Sequence, residues 1–421
     1  MRVFLATLAA SIVLFSAAAA SAGAQPPPSP LAALQRSLSR SMAQEGAFSG
    51  AEVVDMTTGQ TLFAENPTTP RLPASVEKIY TTSTALLRLG PTATLSTSIL
   101  GVGSRDTQGV WHGTLYLRGG GDPTFGAVAF DRSWYGTGAT MYGLIRALLT
   151  ATGITGVQGR IVADGSYFDS RRGTPATGFA ANLEVEGELG GLTYDGGFTS
   201  AQGTALQRYP AVYAAQQLVG GLRAWGVKLA PHFPVSAGRT PPGATMLASV
   251  QSPPLSTLIA LTNAPSDNYF AETLLKDIGA RLGGAGTTAA GAAVVGAEMQ
   301  SEFGITPRFN DGSGLSRYDA TSPDQVVTAL KGLANDQPFV DSLAVGGETG
   351  TLQHEMNGTA AQGNCRGKTG TLIDVANLVG YCRARDGHAL VFAFLANALG
   401  NPDQGHAIEA NMAVSLASYD G

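Results

Sequence analysis

Three short motifs in this chain of 421 residues place hydroxyl, amide and ammonium groups at spacings that suit nucleophilic catalysis. They are SVEK at 75–78, SDN at 266–268 and KTG at 368–370, in this order along the chain. Two of the five lysines of the chain lie inside these motifs. Each motif alone is weak evidence, but the three together rarely occur by chance. The combination indicates a serine enzyme that works with lysines.

Ser75 and Lys78 are the first candidate catalytic pair. They are three residues apart at the predicted start of a helix, so their side chains share one face. A serine hydroxyl needs an adjacent base, and a lysine serves as that base when burial and a nearby cation, here Lys368, lower its pKa. The helix N-terminus also favours negative charge developing near Ser75. The alternative is structural, with Ser75 as a helix cap and Lys78 on a solvated face.

The second motif is expected on a turn that leads into a helix. The Ser266 hydroxyl is suited to relay a proton to a leaving nitrogen, and the Asn268 amide to orient the lysine or a substrate carbonyl. The alternative is a capping turn, because Ser, Asp and Asn are the preferred helix caps. Capping by one of the three residues leaves the other two free for catalysis.

The third motif is predicted to lie on an edge strand. Gly370 would let a substrate backbone approach closely, Lys368 and Thr369 would bind a carboxylate, and the Thr371 N–H would face an oxyanion. The alternative is a solvated edge lysine of the kind that protects sheets from aggregation. The glycines at 363 and 367 superficially resemble a phosphate loop, but their spacing is one residue short and no strand precedes them, which excludes ATP binding.

Composition limits the remaining classes of function. Lys+Arg 26 against Asp+Glu 31 gives a net charge of −5 without a basic stripe, so we expect no nucleic-acid partner. The sequence also predicts no metal, no cofactor and no histidine-based triad, because its five histidines are scattered without metal-ligand spacing. The 55 glycines and 22 prolines show no collagen period.

The elements that must position the motifs follow an α/β pattern interrupted by a β-rich stretch. Residues 25–92 together with 247–421 are predicted to form the catalytic domain, and residues 93–246 an inserted β-rich domain. The predicted helices are 31–42, 73–89, 141–152, 210–225, 255–262, 268–282, 289–303, 323–333 and 404–419. The predicted strands are 49–55, 60–64, 95–102, 114–118, 159–163, 366–371, 376–383 and 389–396.

Residues 1–24 have the pattern of a secretory signal peptide. Arg2 precedes an apolar stretch, and small residues allow cleavage after Ala22 or Ala24. The alternative is a retained membrane anchor, because the apolar stretch is just long enough to span a bilayer. We therefore expect an exported protein, periplasmic or extracellular, with at most peripheral membrane association.

Export changes the interpretation of the two cysteines. In an oxidising compartment Cys365 and Cys382 are expected to pair. Two strands folded about a hairpin tip at 373–374 would place the two cysteines opposite each other, as a cross-strand disulfide requires. The alternative is a pair of buried free thiols.

Six further segments occur between and around the motifs. They are PAS at 73–75, LRGGGDPT at 117–124, DGSYFD at 164–169, LTYD at 192–195, NDGSGLS at 310–316 and GTL at 350–352. With them, the chain resembles the D-alanyl-D-alanine carboxypeptidase/endopeptidase family of class C, low-molecular-mass penicillin-binding proteins (peptidase family S13) over nearly its whole mature length. The resemblance implies a penicillin-binding-protein/β-lactamase-like domain, an antiparallel sheet flanked by helices, with a large insertion after the first motif.

The same resemblance implies a role for each residue of the motifs. Ser75 would be acylated with Lys78 as general base, Ser266 would carry the proton and Asn268 would contact the substrate. Lys368 and Thr369 would hold the terminal carboxylate, and the N–H groups of Ser75 and Thr371 would form the oxyanion hole. Gly370 would lie beside the bound substrate. Asp122 is a weaker candidate, which would meet a free amine on the substrate.

The implied activity is that of a serine D-alanyl-D-alanine carboxypeptidase, with D,D-endopeptidase activity as an extension. Its partners would be peptidoglycan stem peptides in the cell wall, and β-lactams would acylate it as inhibitors. Two alternatives stay open. One is a β-lactamase or esterase built on the same groups, and the other is a catalytically silent wall-binding protein.

Overall fold

The computed structural model describes residues 29–421 of the chain. The predicted signal peptide at 1–24 lies outside this range. Within the described range, no helix combines the length and apolarity needed to cross a membrane.

The described residues form two sheets and the helices that cover them. The strands are β1 (Ser49–Asp55), β2 (Thr61–Glu65), β3 (Ser96–Arg105), β4 (Val110–Gly119), β5 (Gly156–Asp164), β6 (Val235–Ala237), β7 (Thr245–Gln251), β8 (Ala344–Val345), β9 (Cys365–Leu372), β10 (Val375–Arg383) and β11 (Ala389–Asn397). The helices are α1 (Pro30–Glu45), α2 (Lys78–Leu89), α3 (Val128–Trp134), α4 (Met141–Thr152), α5 (Pro210–Ala224), α6 (Leu255–Asn263), α7 (Asn268–Leu282), α8 (Thr288–Phe303), α9 (Pro323–Leu333), α10 (Gln337–Asp341) and α11 (Pro402–Ala417).

The first sheet is antiparallel and has the strand order β2-β1-β11-β10-β9-β8. Strand β11 is apolar at almost every position because both of its faces are covered. Phe392 and Phe394 pack in a core shared with α1 and α11, whereas Val391 and Ala393 face a second core shared with α2 and α9. The sheet is therefore the middle layer between helices.

Helix α2 begins at Lys78, the last residue of the first motif, and lies in the second core. It is rich in threonine, and two of its buried threonine hydroxyls donate hydrogen bonds to carbonyl oxygens. Thr81 Oγ1 donates to the Gly312 carbonyl oxygen at 3.0 Å, and Thr82 Oγ1 donates to the Lys78 carbonyl oxygen at 2.7 Å. The Thr81 bond connects the helix that carries the lysine to the loop at 310–316, whereas the Thr82 bond lies within the helix.

The second sheet has the order β6-β5-β4-β3-β7 and encloses its own core with α4 and α5. Strand β4 is parallel to β5, and β5 is parallel to β6. The sheet ends with β7, which pairs with β3 through Gln251. The predicted boundary at 246–247 thus falls inside a strand, and the second sheet extends five residues further along the chain. The strand was missed because β7 is an exposed edge without alternating burial.

A segment of the insertion returns to the catalytic layer. Val185 and Leu189 are buried in the core formed with α2 and α7. Their burial places Glu184 and Glu186 at the start of α7, next to the second motif. The insertion therefore contributes groups to the site as well as a separate core.

The register of β9 and β10 confirms the predicted hairpin. Cys365 lies opposite Cys382, and a disulfide joins them. Both cysteines are buried beneath α11. Free thiols, the alternative from the sequence, are excluded in this structure.

Most predicted helices and strands are confirmed within a few residues, including α4, α7, α9 and β1 at their bounds. The elements that were not predicted are α3, α10, β6, β7 and β8. All five are seven residues or shorter, too short for a periodic pattern to develop.

Candidate active site

Ser75 lies on a tight turn, the 3₁₀ helix Ala74–Glu77, immediately before α2. The preceding residue, Ala74, has a φ of 46°, a left-handed conformation that costs energy for a residue other than glycine. Gly314 packs against this turn so closely that a Cβ atom there would lie 1.8 Å from the Ala74 carbonyl oxygen. Packing of Gly314 stabilises this strained turn, and the turn presents a half-buried Ser75 to the cleft.

Lys78 is completely buried and contacts three acceptors. Its Nζ lies 2.8 Å from Ser75 Oγ, 2.6 Å from Asn268 Oδ1 and 2.9 Å from the Ser313 carbonyl oxygen. A charged ammonium would donate to all three, whereas a neutral amine would donate to two and accept the Ser75 proton. The alternative of a lysine on a solvated helix face is therefore wrong.

Burial lowers the pKa of Lys78 to about 8, because a charged ammonium loses its hydration in the protein interior. Nearby carboxylates, Glu186 and Asp267 first, oppose this shift. About a tenth of Lys78 is consequently a neutral amine at pH 7, and about half at pH 8. Of the two expected causes, burial accounts for the lowered pKa, and the charge of Lys368 is not needed to explain it.

The residues of the second motif have two different roles, because one caps α7 and another contacts the site. Asp267 is the cap of α7, since its Oδ1 accepts the Phe270 N–H at 2.8 Å. Asn268 is left free to contact Lys78, and its Nδ2 donates to the Glu184 carbonyl oxygen at 2.9 Å. Ser266 has a φ of 70° and a partly exposed side chain. Within residues 29–421 its hydroxyl has no hydrogen-bond partner.

Lys368 is also completely buried, so it is not a solvated edge lysine. Its Nζ donates to the Thr369 carbonyl oxygen at 2.9 Å. Burial and the nearby charge of Lys78 lower the pKa of Lys368 well below its usual value. The two lysines of the motifs therefore lie close enough to affect each other.

The β9 strand is open to the cleft beyond its first residues. Strand β8 pairs only with Arg366 and Gly367, which leaves the KTG segment without a neighbour on that side. The fold explains why residue 370 is a glycine, because a Cβ atom there would lie 2.5 Å from the Pro73 carbonyl oxygen. Glycine at this position allows β9 to approach the turn that carries Ser75.

Three side chains next to the KTG strand were not predicted from the sequence. Thr369 Oγ1 donates to Thr351 Oγ1 at 2.8 Å. Thr371 Oγ1 lies 2.7 Å from His406 Nε2, and His406 Nδ1 lies 3.1 Å from Glu409 Oε2. Scattered histidine positions gave no signal for this contact, because it joins residues 35 apart in the chain.

The loop at 310–316 has a buried support that the sequence did not reveal. Glu272, on α7, accepts the backbone N–H groups of Gly312 and Ser313 at 2.9 Å each. This fixes the Ser313 carbonyl against Lys78. The segment was recognisable only as one of the further stretches of the family resemblance.

The family model described as D-Ala-D-Ala carboxypeptidase 3 (S13) matches residues 31–184 and 190–419 of the chain. The chain belongs to this family. One relative, a D-alanyl-D-alanine carboxypeptidase from Actinomadura sp. (strain R39), is 31% identical and aligns over 90% of this chain and 83% of its own. Carboxypeptidase DacB from Mycolicibacterium smegmatis is 30% identical over 86% of this chain and 79% of its own.

The fold matches a solved structure of penicillin-binding protein 4 (dacB) from Haemophilus influenzae. The TM-score is 0.72 at 21% identity, covering 92% of this chain and 98% of that one. A second structure of that protein contains a β-lactam. The predicted S13 membership and the predicted penicillin-binding-protein fold are both confirmed.

Asp122 differs from the other candidates of this S13 chain. It is buried, and its Oδ1 accepts the backbone N–H and the hydroxyl of Thr124 at 2.8 and 2.7 Å. Burial raises the pKa of Asp122 to about 7. No hydrogen bond joins it to the motif residues in the described part of the chain. The structure thus shows it stabilising its own turn.

Proposed function

We propose that this S13 family member is a serine D-alanyl-D-alanine carboxypeptidase that trims peptidoglycan stem peptides through an acyl-enzyme. The observation that carries the proposal is the environment of Lys78. A buried amine with a pKa of about 8 lies within hydrogen-bond distance of the Ser75 hydroxyl. This is the arrangement that a serine nucleophile with a lysine base requires.

In the acylation step, the neutral Lys78 amine takes the Ser75 proton while Ser75 Oγ attacks the carbonyl carbon of the penultimate D-alanine. The N–H groups of Ser75 and Thr371 stabilise the negative oxygen of the tetrahedral intermediate. The C–N bond then breaks, and its electron pair stays on the nitrogen of the terminal D-alanine. That nitrogen receives the proton from Lys78 through the Ser266 hydroxyl, and D-alanine leaves.

In the deacylation step, a water molecule attacks the ester carbonyl and gives a proton to Lys78. The ester C–O bond breaks, and Lys78 returns a proton to Ser75 Oγ. The shortened peptide leaves as a carboxylic acid, and the enzyme is restored. Asn268 and the Ser313 carbonyl hold the amine in place through both steps, since each contacts Nζ independently of Ser75.

Substrate selection is assigned to the KTG strand. The terminal carboxylate of the peptide would lie against Lys368 and the hydroxyls of Thr369 and Thr371, where the open strand edge gives access. Gly370 would allow the peptide backbone to lie along the strand. β-Lactams would acylate Ser75 in the same way, and the substrate places the enzyme in the periplasm or outside the cell.

The direct test uses fluorescent penicillin and purified stem peptides with the wild type and Ser75→Ala. We expect covalent labelling and D-alanine release for the wild type and neither for the variant, with Ser301→Ala, an exposed serine on α8, as the matched control. Equal labelling of Ser75→Ala would reject the proposed nucleophile. Rapid hydrolysis of the β-lactam without D-alanine release would favour a β-lactamase instead. Cross-linked muropeptides in the same assay report endopeptidase activity.

A further inference from the structure

A cavity of about 310 Å³ lies beside the KTG strand, between β9, the segment at 351–355 and the first turns of α11. Two residues that line it, Thr369 and Thr371, carry the hydroxyls proposed to hold the carboxylate of the leaving D-alanine. A leaving residue whose carboxylate contacts these hydroxyls therefore lies at the cavity. The methyl side chain of D-alanine fills only a small part of this volume, so the cavity has room for a longer side chain.

Acidic side chains line this cavity. Glu355 is half-buried and Asp403 is exposed. Within residues 29–421, the one ion-pair contact among the lining side chains joins His406 Nδ1 to Glu409 Oε2 at 3.1 Å. None of the described residues that line the cavity is a lysine or an arginine. The charges of Glu355 and Asp403 are therefore not compensated from within the cavity.

Glu409 adds a buried acceptor to the same cavity. Its side chain is fully buried, and its Oε1 has no hydrogen-bond partner in the part of the chain that the structure describes. Burial raises the pKa of Glu409 well above its usual value, which favours the protonated form. With that proton on Oε2, the oxygen that contacts His406, Oε1 is a free acceptor. A buried acceptor without a partner is costly, so an N–H group that reached it would be stabilised.

The charge of the cavity does not suit D-alanine alone. Glu355 and Asp403 lie near hydroxyls that would bind a carboxylate, and like charges placed close together weaken binding. A cation in the cavity would offset this repulsion. Among the described residues, no three His, Cys, Asp or Glu side chains come together as a metal ion requires. The cation that fits is therefore an organic ammonium group.

We propose that this cavity binds the side chain of the leaving residue and favours a basic D-amino acid, whose side chain ends in an ammonium group. The ammonium donates to Glu409 Oε1 and pairs with Glu355 and Asp403, while the KTG strand holds the carboxylate of the same residue. The C–N bond that breaks is the one described above, and its electron pair and the proton again go to the leaving nitrogen. This inference rests on the proposed carboxypeptidase function and extends its leaving group beyond D-alanine.

The test uses peptides that share one acyl part and end in D-Ala–D-Ala, D-Ala–D-Lys or D-Ala–D-norleucine, each with a free C-terminal carboxylate. Norleucine keeps the alkyl chain of lysine without its charge. For the wild type, kcat/KM should be about tenfold higher for the D-lysine peptide than for the D-norleucine peptide, the scale of a hydrogen bond to a charged group. Acetylation of the lysine ε-amine should abolish this preference, a result that does not depend on the folding of any variant.

The variant E355Q/D403N removes both charges from the cavity. Its preference for D-lysine should fall to about twofold or less, while the release of D-alanine persists. The matched control is E302Q/D420N, which neutralises two exposed acids elsewhere and should keep the wild-type preference. Melting curves of all variants check that they fold.

Three results would overturn the assignment of the cavity. They are a wild type that releases D-alanine but no D-lysine, equal kcat/KM values for the D-lysine and D-norleucine peptides, and a preference that survives in folded E355Q/D403N. Failure of the wild type to release D-alanine from the D-Ala–D-Ala peptide would instead reject the proposed function.

Discussion

Lys78 and Lys368 are both fully buried, but their surroundings differ. Lys78 has three acceptors, enough for every N–H of an ammonium group. Lys368 has one within the described part of the chain, the carbonyl oxygen of its neighbour Thr369. A buried cation with unused donors is costly, so a bound anion would supply the partner that Lys368 lacks.

This difference associates the Lys78 region with the acylation chemistry and the Lys368 region with substrate recognition. The Lys78 region is already organised in the protein alone, because its contacts come from the turn at 74–77, α7 and the 310–316 loop. The Lys368 region lies on an open strand edge and lacks a partner that a peptide carboxylate would supply. We therefore expect changes at Lys78 to alter the rate of acylation and changes at Lys368 to alter substrate binding.

The largest effect is expected from Lys78→Met, which removes the base and keeps an unbranched side chain. Acylation of Ser75 should slow by about 10³-fold or more, the scale of losing an activating base. Stopped-flow acylation with fluorescent penicillin measures this rate without depending on turnover. A variant that acylates within tenfold of the wild type would show that Lys78 only positions Ser75.

The pH dependence of acylation sharpens the same point. Burial lowers the pKa of Lys78 to about 8, and the neutral amine is the active form. The acylation rate of the wild type should therefore rise with pH and level off above about pH 8. The residual acylation rate of Lys78→Met should not rise with pH over this range. If it still rises, a group other than Lys78 controls the pH dependence of acylation.

A smaller effect, on KM, is expected from Lys368→Met. For a peptide with a free C-terminal carboxylate, KM should rise about 100-fold, since a charge-assisted contact is lost from a buried site. For the same peptide with a C-terminal amide, the change should be much smaller. Steady-state D-alanine or D-alaninamide release gives both values. Equal losses on the two substrates would mean that both lysines serve the chemistry.

The motif residues were recognisable because their types alone constrain the chemistry, and the fold brings Ser75, Lys78 and Asn268 together. Their catalytic roles stay predictions. Helix α7 was predicted at its bounds, and the capping of α7 by one residue of the SDN motif, which frees Asn268, follows from ordinary helix-cap preferences. The Cys365–Cys382 pairing followed from counting positions about a hairpin tip. Each of these predictions depends on local spacing along the chain.

Apart from His406–Glu409 within α11, the contacts that were missed are made between distant segments. Ser313 reaches Lys78 across 235 positions, and Glu272 supports it from another helix. Gly370 was predicted to allow close substrate approach, and the fold adds a second reason for glycine there, the close approach of the Pro73 backbone. No local pattern reports which distant backbone will lie against a residue, so these roles needed the tertiary structure.

The smallest effect is expected from His406→Ala, next to the recognition strand. Burial raises the pKa of Glu409 well above its usual value and lowers the pKa of His406, which favours the neutral form of each group. The Glu409 O–H can then donate to His406 Nδ1, and Nε2–H to Thr371 Oγ1, which leaves the Thr371 proton free for a substrate carboxylate. Losing this orientation should raise KM about 3- to 10-fold with little change in kcat.

Glu409→Gln distinguishes orientation of Thr371 from a merely structural role. Glutamine keeps a donor to His406 Nδ1, so KM should stay near the wild-type value, whereas Glu409→Leu removes the donor and should behave like His406→Ala. The effect should also vanish for the peptide with a C-terminal amide, as for Lys368→Met. If His406→Ala instead lowered the acylation rate by penicillin and left KM unchanged, the Thr371 side of the cleft would belong to the chemistry, and the separation between the two lysine regions would fail.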